Sequence, residues 1–355
     1  MSTIIDWHSH WIPTRVFDLL SKRKTNPRIV TNSRGETILL AQPWAAPEKA
    51  RPLTAEWHDI ELRLRHLDRA GVDRQLLSWP TTNQVDAFLP AEDARVIWSA
   101  YNEELAQVVK KRGDRFFGVA ILPTSDIEWA ARELERAHRD LGLIGAVLPV
   151  GAFQTLEAAL LFAPVFEVAQ KYRSHLYLHT GPAAPAIPGQ PPNTPHPEGD
   201  VPLIRWSLDT GASFAAGTVT LTQTGFLDSY PDVTVQIAML GGSISFLAES
   251  IELRARGLHG TFEKKSPLES FRRVYFDSGV IGRGPHALEL AVKTFGADRI
   301  LFGTDFPPLP TLDKTVAAFD QADLNAQQRE QILSGNALHL LREKDRKPEA
   351  ASATV

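Results

Sequence analysis

The chain has 355 residues, of which 43% are hydrophobic and 23% charged, with a formal net charge of -4 and no cysteine. That length and apolar content support a sizeable core, in one large α/β domain or two smaller ones. The lack of cysteine excludes disulfides, thiolate metal ligands and a cysteine nucleophile, and the mildly acidic balance without a long basic run argues against nucleic acid or an anionic membrane as the main partner.

The first strand-like run covers residues 3–7, where Ile4 and Ile5 are β-branched, and Pro13 closes the segment soon after. It leads into His8 and His10. Residues two apart on a strand point to the same side, so both imidazoles can aim at one point past the strand end, as a divalent transition metal requires. Two histidines alone fit ordinary loop or packing roles equally well. Residues 28–31 and 37–40 then flank the turn formers Asn32, Ser33 and Gly35, which predicts a small β-hairpin inserted over about 26–54.

Further strand-like runs lie at 74–79, 115–122, 144–150, 175–179, 233–238, 274–277 and 300–303. Amphipathic stretches of helical length separate most of them, at 60–70, 92–111, 127–141, 156–171, 243–256, 285–295 and 312–319. Eight strands alternating with helices predict a parallel α/β fold, a distorted (β/α)8 TIM barrel, as one domain over 1–342. An open doubly wound sheet is the competing reading, but no convincing G-x-G-x-x-G follows a strand. Residues 181–202 are rich in proline and glycine, either a solvated connector or a loop over the site. Residues 343–355 predict a frayed tail. No apolar run is long enough to span a bilayer and no targeting segment is legible, so a cytoplasmic location is expected.

Barrel enzymes carry their active groups at the carboxyl ends of the strands. Here His8 and His10 end the first strand, His179 ends the fifth, and Asp305 follows the eighth. Three neutral nitrogens and a carboxylate oxygen make a mixed metal site with room for substrate, suited to Zn²⁺ and tolerant of Mn²⁺, Fe²⁺ or Co²⁺. Singly, His179 reads as a core histidine and Asp305 as a helix N-cap. Their joint arrival at strand ends carries the metal reading. Asp277, ending the seventh strand, fits either a turn residue or a carboxylate that orients a ligand histidine. Trp11, beside the histidines, is a candidate wall of an aromatic substrate pocket, or core.

The runs IIDWHSHWIP, LYLHTG and ILFGTDFP resemble three landmarks of the amidohydrolase superfamily. LRLRHLDRAGVDRQLLSWP, RVYFDSG and ILSGNA are similar to further segments of the branch containing aminocarboxymuconate semialdehyde decarboxylase and the aromatic-acid decarboxylases. The resemblance spans nearly the whole chain. It implies that His8, His10, His179 and Asp305 bind the metal, that Arg51 at the end of the inserted hairpin binds a substrate carboxylate, and that the protein is a homodimer. Arginine suits that role because its planar fork matches a carboxylate.

Two departures accompany the resemblance. Met239, the only methionine besides Met1, stands where the family usually has a histidine that moves a proton. A thioether carries no proton at neutral pH. Ser250 stands where the named decarboxylase uses an arginine across its subunit interface, with Arg254 and Arg256 close by, so that enzyme's dicarboxylate substrate is not expected here. Glu249, His196 and His286 lie on segments able to approach the site, and His196 in the proline-rich loop is the best placed substitute proton carrier. The expected function is a metal-dependent carboxy-lyase acting on a small aromatic or unsaturated carboxylic acid, with Asp305 handling the proton. The alternatives are metal-dependent hydrolysis of an amide or lactone, and a weakly active ligand-binding homologue.

Overall fold

Among the described residues eleven strands form in chain order: β1 (Ile5–Asp6), β2 (Arg28–Thr31), β3 (Thr37–Leu40), β4 (Arg74–Leu77), β5 (Phe116–Gly118), β6 (Ala120–Ile121), β7 (Gly145–Pro149), β8 (His175–His179), β9 (Thr234–Ile237), β10 (Tyr275–Asp277) and β11 (Ile300–Leu301). They belong to a computed structural model that describes residues 3–190, 199–259, 266–279, 284–308 and 312–345. Only β2 and β3 pair antiparallel, as the hairpin predicted between the first two barrel strands. The others pair in parallel in two runs, β1-β4-β5 and β6-β7-β8-β9-β10-β11.

The segment predicted as one strand at 115–122 joins those two runs. Its first half, β5, pairs with β4, its second half, β6, pairs with β7, and Val119 separates them. The ring closes between β11 and β1. Trp7 N donates to Phe302 O at 2.8 Å, Asp305 N donates to His8 O at 2.8 Å, and Ser9 bridges Phe306 in parallel. With β5 and β6 counted as one bent strand, eight strands surround the axis, and the fold is a distorted (β/α)8 TIM barrel.

Outside the hairpin, the strands are buried along nearly all of their length, as expected when helices cover a parallel sheet. All five residues of β7 and all five of β8 are buried, histidines included. Gly145 is required where those strands meet, because a Cβ there would lie 1.8 Å from the His175 carbonyl oxygen.

Helices form at Ile60–Ala70, Pro285–Phe295 and Leu312–Phe319, with the bounds that the apolar spacing predicts. Asp59 caps the first of them by accepting from Leu62 N, and Gly71 ends it in the left-handed region at φ 69°. The helix expected at 156–171 is two, Leu156–Leu161 and Ala163–Tyr172. Pro164 lacks an N–H and so starts a second helix rather than continuing the first. The helix Pro202–Gln223 has no counterpart in the sequence pattern. The closing helix Asn336–Asp345 runs past residue 343, where the sequence predicts a frayed tail; residues 346–355 lie outside the described residues. Among the described residues no helix is long and apolar enough to cross a membrane.

Candidate metal centre

Four side chains from three strand ends meet at the carboxyl-terminal mouth of the barrel. One ligand atom from each of His8, His10, His179 and Asp305 can be chosen so that all lie within 4.8 Å of one another. His8 Nε2 is 3.1 Å from His179 Nε2. Asp305 Oδ1 lies 3.3 Å from His8 Nε2 and 3.1 Å from His10 Nε2. The histidines are fully enclosed, whereas the Asp305 side chain is 21% exposed and so marks the open side.

Neighbouring groups decide which nitrogen of each ring faces the centre. Asp277 Oδ1 accepts from His8 Nδ1 at 2.9 Å. The Thr81 hydroxyl donates its one proton to Thr180 O at 2.7 Å, so it accepts from His179 Nδ1 at 2.9 Å. Ser78 likewise donates to Ser9 O at 2.8 Å and accepts from His10 Nδ1 at 3.2 Å. Each Nδ1 therefore carries a hydrogen, and each Nε2 presents its lone pair inward. Three such lone pairs and a carboxylate around one point repel unless a cation lies among them, so the residues fit a divalent metal. Thr81→Val removes the acceptor for His179 and is expected to weaken metal affinity about 10–100-fold, whereas Thr81→Ser keeps it. Metal titration of both variants checks this; equal affinities would contradict it.

Without a metal, a proton takes the cation's place. Burial opposes a charge on His8, but the Asp277 and Asp305 carboxylates outweigh it and hold its pKa up at about 10. Burial pushes His10 and His179 below the ordinary histidine value, so both stay neutral. Burial alone would raise Asp305, yet the neighbouring His8 charge and the hydrogen bonds from His10 and His8 hold it below the usual carboxylate range. Metal and the His8 proton exclude each other. Loading at pH 7 is expected to release about one proton, and affinity is expected to rise about tenfold per pH unit until the His8 proton is lost near pH 10. Calorimetry in buffers of different ionisation enthalpy measures that release, and a buffer-independent heat would contradict it.

A buried polar frame holds the ligands. Asp277 accepts from His8 Nδ1, from Met239 N at 2.9 Å and from Gln236 Nε2 at 2.8 Å, and so joins the end of β1 to β9 and Met239. Asp6 accepts from His8 N and Thr304 N at 3.0 Å and from Gln75 Nε2 and Thr304 Oγ1 at 2.6 Å, tying β1 to its neighbours on both sides. Arg63 lies fully buried beneath His10. It donates to the His10 carbonyl, to Gln75 Oε1 at 2.9 Å and to Glu56 O at 3.2 Å, and it sits 4.7 Å over the Phe306 ring. Burial lowers its pKa to about 9, which leaves it charged at neutral pH. Gly303 is a glycine because a Cβ there would meet His8 Cβ at 2.6 Å and Asp277 Cβ at 3.2 Å.

Met239 belongs to this frame through its backbone. Met239 and Leu240 have φ of 52° and 57°, and Asp305 has 56°. Such left-handed backbone costs about 1–2 kcal/mol per non-glycine residue, and strain of this kind collects at functional sites. Met239 N–H holds Asp277 whatever side chain the residue carries. The side chain itself is buried against Gly279, where a Cβ would lie 3.2 Å from Met239 Cγ.

The remaining candidates lie elsewhere or serve other contacts. Arg51 is exposed beside the hairpin, next to Pro52, which bridges Ile38, and it makes no hydrogen bond or ion pair among the described residues. Trp11 is buried, and its indole N–H donates to His58 O at 3.1 Å, so it offers a substrate at most a ring face. Glu249 and Ser250 are exposed, and His286 is exposed with Glu289 as its partner at 3.2 Å; none of them joins the cluster. His196 lies outside the described residues. Arg63, Thr81 and Ser78 were not singled out by sequence reasoning. Only Arg63 left a signal, as a charge on the apolar face of Ile60, Leu64 and Leu67.

The family model described as Amidohydrolase matches residues 5–342. Gamma-resorcylate decarboxylase of Polaromonas sp. is 27% identical over 324 residues, covering 86% of this chain and 95% of that protein. 2-Amino-3-carboxymuconate-6-semialdehyde decarboxylase of Dictyostelium discoideum is 27% identical over 298 residues, covering 82% and 79%. The solved structure of 5-carboxyvanillate decarboxylase from Novosphingobium aromaticivorans, with bound manganese, superposes with a TM-score of 0.73 at 20% identity, covering 96% of this chain and 97% of that one. A match running from β1 into the closing helix, on a barrel with this mouth, means that the chain belongs to the amidohydrolase family.

Proposed function

We propose that the protein is a metal-dependent carboxy-lyase that releases CO₂ from a small aromatic carboxylic acid. The observation that carries this reading is the convergence of three inward Nε2 atoms with Asp305 at the open mouth. The relatives named as gamma-resorcylate decarboxylase and 2-amino-3-carboxymuconate-6-semialdehyde decarboxylase support the choice of reaction. His8, His10, His179 and Asp305 would hold the cation. Their nitrogen-rich set suits Zn²⁺ and tolerates Mn²⁺, the ion in the carboxyvanillate enzyme. Bound there, the cation supplies Lewis acidity to a substrate oxygen.

The chain's own groups do the rest. Asp305 Oδ1 faces His8 and His10, while Oδ2 has no hydrogen-bond partner among the described residues. Oδ2 is therefore free to carry a proton to the ring carbon. The C–C bond to the carboxylate then breaks, its electron pair returns to the ring, CO₂ leaves, and Asp305 is reprotonated from water. Arg51, uncommitted on the hairpin insertion, is the group we assign to a substrate carboxylate or other oxyanion. Trp11 would present its ring face to an aromatic acid. We also assign a homodimer, formed through exposed Ile204, Leu208, Phe246 and Leu253 on the adjoining helices Pro202–Gln223 and Ile244–His259. Light scattering at the mass of a single chain would contradict it.

If Asp305 alone carries the proton, Met239→His keeps the fold and the metal, because residue 239 holds Asp277 through its backbone N–H and not its side chain, and changes kcat by less than about tenfold. A gain of about 100-fold or more would mean that a second proton carrier is missing. The reaction itself is tested by incubating metal-loaded protein with a panel of hydroxybenzoic acids. One CO₂ per acid consumed is the expected result. No turnover of any member, or a new carboxylate formed from an amide or lactone instead, would overturn the reading.

A further inference from the structure

A second cavity opens at the other end of the barrel, where β9 and β10 begin at Thr234 and Tyr275. It holds about 300 Å³ and is lined by five cations, Arg173, Arg272, Arg273, Arg299 and Lys344. Two carboxylates, Asp232 and Glu343, complete the charged lining. In a chain with a net charge of -4, this is a local reversal of sign.

The counter-charges present do not cover those cations. Glu343 pairs with Arg173 at 3.5 Å. Asp298 takes Arg272 at 2.9 Å and stands 3.5 Å from Arg299 Nε, which makes no hydrogen bond although it is buried. Asp232 accepts from the Gln170 amide at 2.6 Å instead of from an arginine. Arg273 and Lys344 have no carboxylate within ion-pair distance among the described residues. Arg273 donates to the carbonyls of Tyr230 at 2.8 Å and Val233 at 3.1 Å. Lys344 Nζ donates to Thr234 Oγ1 at 2.9 Å and to the Arg173 carbonyl, which leaves a third proton free. Burial, with Arg173 beside it, lowers the Lys344 pKa to about 7. Arg173, Arg272 and Arg299 reach solvent, with 38%, 40% and 29% of their side chains exposed, but cations gathered this closely repel one another and draw an anion in.

We propose that this cavity binds a small multivalent oxyanion of the phosphate class, with Arg173, Arg299 and Lys344 as its principal donors. The planar guanidinium forks match phosphate oxygens, and the ammonium supplies a point charge. The site is separate from the metal centre and does not depend on the reaction assigned there.

Calorimetric titration of the whole protein with inorganic phosphate, pyrophosphate and ADP, at constant ionic strength, tests it. Saturable binding at one site per chain is expected for at least pyrophosphate. Stronger binding of ADP would identify a nucleotide as the source of the phosphate, and equal binding would identify the phosphate group alone. Arg173→Gln, on the rim, and Lys344→Met, inside, are each expected to weaken binding about tenfold or more without changing the metal content. Absence of saturable binding overturns the proposal. So does binding of unchanged strength in both variants, as expected of an anion held at the metal centre instead.

Discussion

His8→Ala is expected to abolish both stoichiometric metal binding and turnover. His8 Nε2 is one of three nitrogens facing the centre, and its Nδ1 is anchored on a buried carboxylate. Alanine removes the ligand, leaves Asp277 without one of its donors and opens a hole in an enclosed site. A metal of this kind contributes several kcal/mol of charge stabilisation, so kcat/KM should fall by about 10³-fold or more. Asp305→Asn separates the two roles of the carboxylate. The amide oxygen can still approach the cation, but it holds no charge and returns no proton. Turnover should therefore fall by at least about 10²–10⁴-fold while much of the metal remains. Elemental analysis beside initial rates reads both variants. Full activity in either one would remove that residue from the chemistry.

Asp277→Ala is the second large effect, and it acts on stability as well as on the metal. Asp277 is fully buried and accepts from three groups: His8 Nδ1, Met239 N and Gln236 Nε2. Its loss strands three buried donors, each costing about 1–3 kcal/mol when unpaired. A net loss of about 3–5 kcal/mol is expected, as for breaking a buried charged pair. His8 also loses the partner that selects its tautomer, so metal affinity should fall about 10–100-fold. The denaturant midpoint and a metal titration of the same protein measure the two effects. A variant with unchanged midpoint and affinity would show that the hydrogen bonds of Asp277 contribute nothing.

The parts of the fold legible in the sequence were those with a period. Strand runs and the apolar spacing at 60–70, 285–295 and 312–319 match the structure because burial on one face leaves a repeating pattern. The helix Pro202–Gln223 was hidden because Thr210, Gly211, Gly217, Thr218, Thr220 and Thr222 are weak helix formers. Tertiary packing overrides that preference. The break at Val119 was hidden for another reason: both halves of the run are apolar, and only pairing with different neighbours divides them.

The candidate metal ligands were legible because barrel topology sends strand ends to one place, and His8, His10, His179 and Asp305 do meet there. The groups that aim them were not. Thr81 and Ser78 act through single hydroxyls, and Arg63 through a backbone carbonyl far along the chain. No spacing rule marks such contacts. Met239 was legible as an unusual side chain, yet its clearest contact is a main-chain N–H that every residue except proline possesses.

The most direct test is elemental analysis of the purified protein joined to CO₂ release before and after chelation. One divalent metal per chain is expected, with CO₂ release lost on chelation and restored by Zn²⁺ or Mn²⁺. Undiminished CO₂ release from metal-free protein would contradict the account, as would a fully folded protein that retains no metal at this centre.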